Sequence, residues 1–146
     1  DRVGAAVTAG TGRSVADRID EHEVVVDVPA SARSLRLLRL AAADAAADLG
    51  FDVDGVEAAR MAVDELAAIL FDTGPWSRLM LRLRRDDGAL VAEGQVRGIE
   101  GDVRPVRVDR VVEELLRTCT AAFAVQDRDG DPGPWFSCTV RGRSDG

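Results

Sequence analysis

Ala62-Val63-Asp64-Glu65-Leu66 lies at the centre of the run from Asp54 to Phe71, and how that run is read decides the fold. Val56, Ala59, Val63, Leu66 and Leu70 recur at helical spacing and make one apolar face. At about 100° per residue, Ala58, Met61, Ala62, Ala68 and Ile69 make a second apolar face on the opposite side. Glu65 is the one ionisable group on that second face. The remaining polar ridge is narrow: Glu57, Arg60 and Asp64. A helix so apolar all round cannot lie on a surface; it is sandwiched between other elements.

Working outward, the chain supplies the covering elements. Glu23–Val28 is a near-continuous valine run, a strand buried on at least one face and ended by Pro29. Ser31–Leu49 reads as a helix with Leu35, Leu38, Ala42, Ala45 and Leu49 as its core stripe. Arg33, Arg36 and Arg39 follow every three residues along another strip, and Gly50 stops the helix. Beyond Phe71, Thr73-Gly74-Pro75 breaks the chain. Leu79, Leu81 and Leu83 then alternate with Arg78, Met80, Arg82 and Arg84, a half-exposed strand with an arginine-rich outer face. Asp86-Asp87-Gly88 turns it into a return strand, Ala89–Val96. An irregular loop over 97–107 leads to a third helix, Val108–Ala121. A last hairpin follows, with strands Ala122–Gln126 and Pro134–Arg141 around the turn Asp127–Gly133. The order β-α-α-β-β-α-β-β predicts an α/β two-layer sandwich, a mixed, mostly antiparallel sheet covered by three helices. The domain spans 21–142, between a Gly/Ala/Thr/Ser-rich tail at 1–20 and a short tail at 143–146.

Composition removes several classes of chemistry. The 146 residues carry 19 basic side chains, all Arg, against 26 acidic ones, for a net charge of −7. That acidic balance argues against sequence-independent nucleic-acid binding. No apolar run approaches the roughly 20 residues that span a bilayer. Without Lys there is no Walker-type phosphate loop and no Schiff base. One histidine and two cysteines cannot build the usual zinc sites, and His22 reads as a solvated surface residue. Cys119 and Cys138 read as buried free thiols, which fits a reducing cytoplasm. Trp76 and Trp135 read as packing anchors. Asp127–Gly133 lacks the terminal Glu of a calcium loop and reads as a turn.

With that order in place, the stretch from Val24 to Thr139 resembles the ATPase fold shared by histidine kinases and DNA gyrase. Within that superfamily it is most similar to the small anti-sigma factors with serine-kinase activity. The residues that carry the resemblance are Val-Pro-Ala-Ser-Ala-Arg (28–33), Leu-Leu-Arg-Leu (37–40), Gly-Phe-Asp-Val (50–53) and above all Ala-Val-Asp-Glu-Leu (62–66). The resemblance implies a Glu-x-x-x-Asn motif on the second helix, with Glu as general base and Asn holding Mg²⁺ on the ATP phosphates. Glu65 matches the Glu, but Ile69 stands at the Asn position, and the chain contains no Asn. Isoleucine offers magnesium no oxygen. The family's Asp-x-Gly-x-Gly motif corresponds to Val96-Arg97-Gly98-Ile99-Glu100-Gly101. Arg97 falls near the place of the adenine-binding Asp, and a cation cannot accept that hydrogen bond. The family's glycine-rich lid is missing too, since Asp102–Arg110 contains no glycine. Three failures together imply a degenerate ATP site, with side chains filling the nucleotide's space.

The leading expectation is therefore an anti-sigma-factor-like binding protein without cofactor. It would hold a sigma factor or a STAS-domain anti-anti-sigma factor through Arg39 and its neighbour Arg36 on the first helix. Against this stands a solvated basic strip with helix pairs such as Arg36–Asp44. The alternative is an active serine kinase that phosphorylates a STAS protein, with ATP and Mg²⁺ as cofactors, Glu65 as catalytic base and Asp64 or Asp72 as metal ligands. A third possibility is an interaction protein unrelated to sigma factors. The resemblance also implies a possible homodimer, with residues 1–20 available for strand exchange or edge cover.

Overall fold

The computed structural model describes residues 23–142. The tails at 1–20 and 143–146, and His22, lie outside the described residues. The elements are β1 (Val24–Pro29), a 3-10 turn (Ala32–Ser34), α1 (Leu35–Asp48), α2 (Val53–Phe71), β2 (Trp76–Asp86), β3 (Ala89–Ile99), α3 (Arg110–Cys119), β4 (Ala122–Gln126) and β5 (Trp135–Arg141). The order is the expected one, and the α/β two-layer sandwich is the observed architecture.

The five strands lie in the order β1-β2-β3-β5-β4, and every neighbouring pair is antiparallel. Chain direction explains both the expected mixture and its absence. Two helices separate β1 from β2, so the chain comes back to the end it left and β2 runs opposite to β1. A single helix separates β3 from β4, which makes those two co-directional. They never touch, because β5 inserts between them and opposes both. Among the described residues, no helix is long and apolar enough to cross a membrane.

The doubly apolar helix sits where its sequence requires. On α2, Ala59, Ala62, Val63, Leu66, Ala67 and Leu70 are essentially inaccessible. One side meets α1 and the sheet; the other meets α3. Asp52 starts the helix, its carboxylate accepting from Gly55 N at 2.8 Å. Asp109 does the same for α3, accepting from Val112 N at 2.9 Å. That cap is why α3 begins at Arg110 and not at Val108. The helix-facing side of the sheet is built from Val28, Leu79, Leu81, Leu83, Val96, Phe136, Cys138 and Val140. Gly94 lies between Leu81 and Phe136 in the ladder. A Cβ there would stand 2.4 Å from the Phe136 ring, so glycine makes room for the largest fully buried side chain.

Some local expectations shift. Pro29 closes β1 from inside the strand, which an edge position permits. β3 continues through Arg97 and Gly98 to Ile99, so the irregular segment is shorter than expected. Val111 is off the buried stripe of α3 and 78% exposed. Cys138 is buried as expected, but Cys119 is only half-buried. Both tryptophans are buried, Trp76 through a hydrogen bond from Nε1 to Thr73 Oγ1 at 2.8 Å.

Candidate functional site

Two surfaces hold some of the residues singled out by sequence. The first is a cleft at the C-terminal end of α2. It encloses about 470 Å³ and is lined by Ile69, Asp72, Thr73, Arg104, Pro105 and Arg107. The expectation that side chains fill this space is corrected: Ile69 is a near-buried part of the wall, and the space itself is open. The segment before α3, where the resemblance places a glycine-rich lid, is pinned down. Arg104 N donates to Thr73 O at 2.6 Å. The Arg104 guanidinium donates to Asp72 O through Nε at 3.1 Å and Nη2 at 2.7 Å, satisfying a carbonyl at the end of α2. Val106 N donates to Asp127 Oδ2 at 3.3 Å, which ties the same segment to the last hairpin.

Glu65 is half-buried on α2. Burial raises its pKa, and the negative charges of Asp64 and Asp109 raise it further. Asp64, a candidate metal ligand, is engaged elsewhere: Oδ1 accepts from Arg39 Nη1 at 3.3 Å. Asp72 lies eight residues further along, about 12 Å along the helix axis. The two carboxylates therefore cannot share one magnesium ion with ligand distances of about 2.1 Å. Among the described residues, no group of three or more His, Cys, Asp or Glu side chains converges on a metal position.

Arg97 does not line the cleft. It sits directly opposite Arg78 in the β2–β3 ladder, on the face of the sheet away from the helices. Two like charges so placed repel. Asp27 of β1 compensates by bridging them, with Oδ2 2.5 Å from Arg97 Nη2 and Oδ1 3.0 Å from Arg78 Nε. Burial alone would raise the Asp27 carboxyl, but the hydrogen bonds and charges of Arg97 and Arg78 outweigh it and hold it below its ordinary value. Arg97 has a structural partner, which its place in the sequence motif could not reveal.

The second surface is the outer side of α1, and it separates Arg36 from Arg39. Arg36 is exposed, whereas Arg39 is drawn against α2 by Asp64. No Arg36–Asp44 ion pair forms among the described residues. Beside Arg36, Leu37 and Leu40 are 54% and 56% exposed. Sequence reasoning named the arginines and passed over these leucines. The signal was available: they fall off the stripe of Leu38, Ala42 and Ala46 that α1 buries.

No family model matches the chain, and no curated protein does. Among solved structures, the crystal structure of the RsbU and RsbW domains of Rv1364c from Mycobacterium tuberculosis is similar, with a TM-score of 0.61 at 15% identity. The likeness covers 82% of this chain and 32% of that one, so this chain spans about a third of that protein's length. At that identity the likeness is one of fold. The five-stranded antiparallel sheet with three helices is the fold shared with that structure, and it is consistent with the architecture that the sequence resemblance led us to expect.

Proposed function

We propose that the chain is an anti-sigma-type regulatory module that binds its protein partner without nucleotide. The partner is a sigma factor or a STAS-domain anti-anti-sigma factor, held by surface contact in a partner switch. The observation that carries this reading is the outer side of α1, where Leu37 and Leu40 stand exposed beside Arg36. Two exposed leucines beside an arginine offer apolar area that a partner can cover and a charge that can fix its orientation. Arg39 contributes less directly, since its guanidinium already serves Asp64. Independence from ATP and Mg²⁺ is supported by Ile69 in the cleft wall and by Arg104, which holds the would-be lid on α2.

The test is co-purification of candidate sigma factors and STAS proteins with the wild-type chain, with and without ATP. Arg36→Glu and Leu40→Arg are expected to lose the partner while keeping the wild-type fold, and ATP is expected to make no difference. Wild-type capture by both variants would remove α1 from the site.

A second reading has its own support. The open cleft and the raised pKa of Glu65 suit a working serine kinase, since a general base works best with its pKa moved toward neutrality. Transfer of labelled phosphate from ATP to a STAS protein, lost in Glu65→Gln, would establish it.

A further inference from the structure

The cleft at the C-terminal end of α2 has Ile69 and Pro105 in its wall and three charged side chains along it, Asp72, Arg104 and Arg107. Its volume of about 470 Å³ is that of a small-molecule site, and such sites combine an apolar wall with a few polar groups that fix orientation. The Thr73 hydroxyl is already committed: Oγ1 donates to Leu70 O at 2.7 Å and accepts from Trp76 Nε1 at 2.8 Å. Recognition in the cleft therefore falls to the charges. Arg104 is held along one edge only, where Nε and Nη2 both donate to Asp72 O and fix the plane of the guanidinium. Its other edge, with one N–H on Nη1 and one on Nη2, bonds nothing among the described residues. Two parallel N–H groups on an anchored, planar fork are the donor pattern that a carboxylate fits bidentately. Arg107 is exposed and forms no ion pair among the described residues, so it adds a second uncommitted positive charge.

We infer that this cleft binds a small monocarboxylate with an apolar body. The carboxylate takes the free edge of Arg104 and the charge of Arg107, and the apolar body lies against Ile69 and Pro105. Asp72 sets the limit on charge. Two guanidinium groups outweigh one carboxylate, but the Asp72 carboxylate at the same cleft repels every further negative charge that a polyanion brings. The occupant therefore differs in chemical class from a nucleotide. The site also stands apart from the outer side of α1, and it holds whether or not α1 meets the partner proposed above.

Isothermal titration of the full chain with phenylacetate and with hexanoate tests it. Both are expected to bind saturably, with a Kd of about 1 mM or tighter. Acetate, which lacks the apolar body, is expected to bind at least about tenfold more weakly. Benzyl alcohol, which lacks the charge, is expected not to bind. Arg107→Glu reverses one cleft charge without removing a hydrogen bond of the fold, and is expected to weaken phenylacetate by about tenfold or more. Arg85→Glu makes the same charge change near the other end of β2 and is expected to leave binding unchanged. If Arg107→Glu fails to fold, Arg107→Gln takes its place, with a smaller loss in the same direction. A wild-type chain that binds neither phenylacetate nor hexanoate up to about 20 mM overturns the inference. Binding that survives Arg107→Glu, or falls equally in Arg85→Glu, overturns it as well. So does inorganic phosphate binding more tightly than phenylacetate, which would give the cleft to phosphate groups. Loss or retention of a protein partner by the α1 variants has no bearing on these titrations, so the two readings fail separately.

Discussion

Glu65 and Asp27 are carboxylates pushed in opposite directions, and stability should register both signs. The native protein holds the Glu65 proton more tightly than the unfolded chain does, because burial and the charges of Asp64 and Asp109 oppose ionisation. Between the ordinary value of 4.5 and the raised folded value, the native state therefore binds more protons, and stability falls as pH rises through that window. Glu65→Gln is expected to be more stable than wild type at pH 7 by urea unfolding, with the two converging as pH falls below 4.5. A less stable variant at pH 7 would mean that the charged form is favoured. Asp27 gives the reverse case. Its pairing with Arg97 and Arg78 stabilises the fold above its ordinary value of 3.8 and is lost as pH falls through the lower folded value. Asp27→Asn is thus expected to lose stability at neutral pH and to show a shallower acid decline. The thiols make a third prediction at this scale. Burial pushes Cys138 up to about 12, and Cys119 is raised by burial and by the charges of Glu57 and Glu65. In the folded protein at pH 8, a thiol reagent is expected to leave Cys138 unmodified and to label Cys119 slowly. Both are expected to react at once in denaturant. Rapid labelling of two thiols in the native state would contradict this placement.

Among the elements, α2 organises the rest, and its sequence was the most legible part of the chain. Two apolar faces required cover on both sides, and α1, α3 and the sheet provide it. Leu66 sits fully inaccessible at its centre, so Leu66→Ala is expected to cost about 2–5 kcal/mol in chemical denaturation. A cost below about 1 kcal/mol would show that the helix is not packed as described. The alternation of Leu79, Leu81 and Leu83 was equally readable, because a strand with one buried face writes its register into every second residue. What sequence could not give were pairings between residues far apart in the chain. Arg39 looked like Arg36 on a helical strip, until α2 brought Asp64 beside it. Arg97 looked like a failed adenine contact, until β1 brought Asp27 across β2. The open cleft was missed for a related reason: a side chain's volume can be read at Ile69, but the separation of the walls around it is set by tertiary packing.

For the molecule as a whole, the fold is a five-stranded antiparallel sheet under three helices, and the reading proposed for it is a module that works without nucleotide. Ile69 forms part of the cleft wall, Arg97 is committed to the sheet, and Arg104 fastens the segment after β3 onto α2. On the reading proposed above, α1 meets the partner, and that surface depends on packing within the domain and not on a bound nucleotide. The central claim is independence from ATP, and isothermal titration of the chain with ATP and ADP in the presence of magnesium tests it most directly. The account predicts no binding up to millimolar nucleotide. Binding tighter than about 100 µM, equivalent to about 5.5 kcal/mol of recognition, would contradict it and make the kinase reading the stronger one.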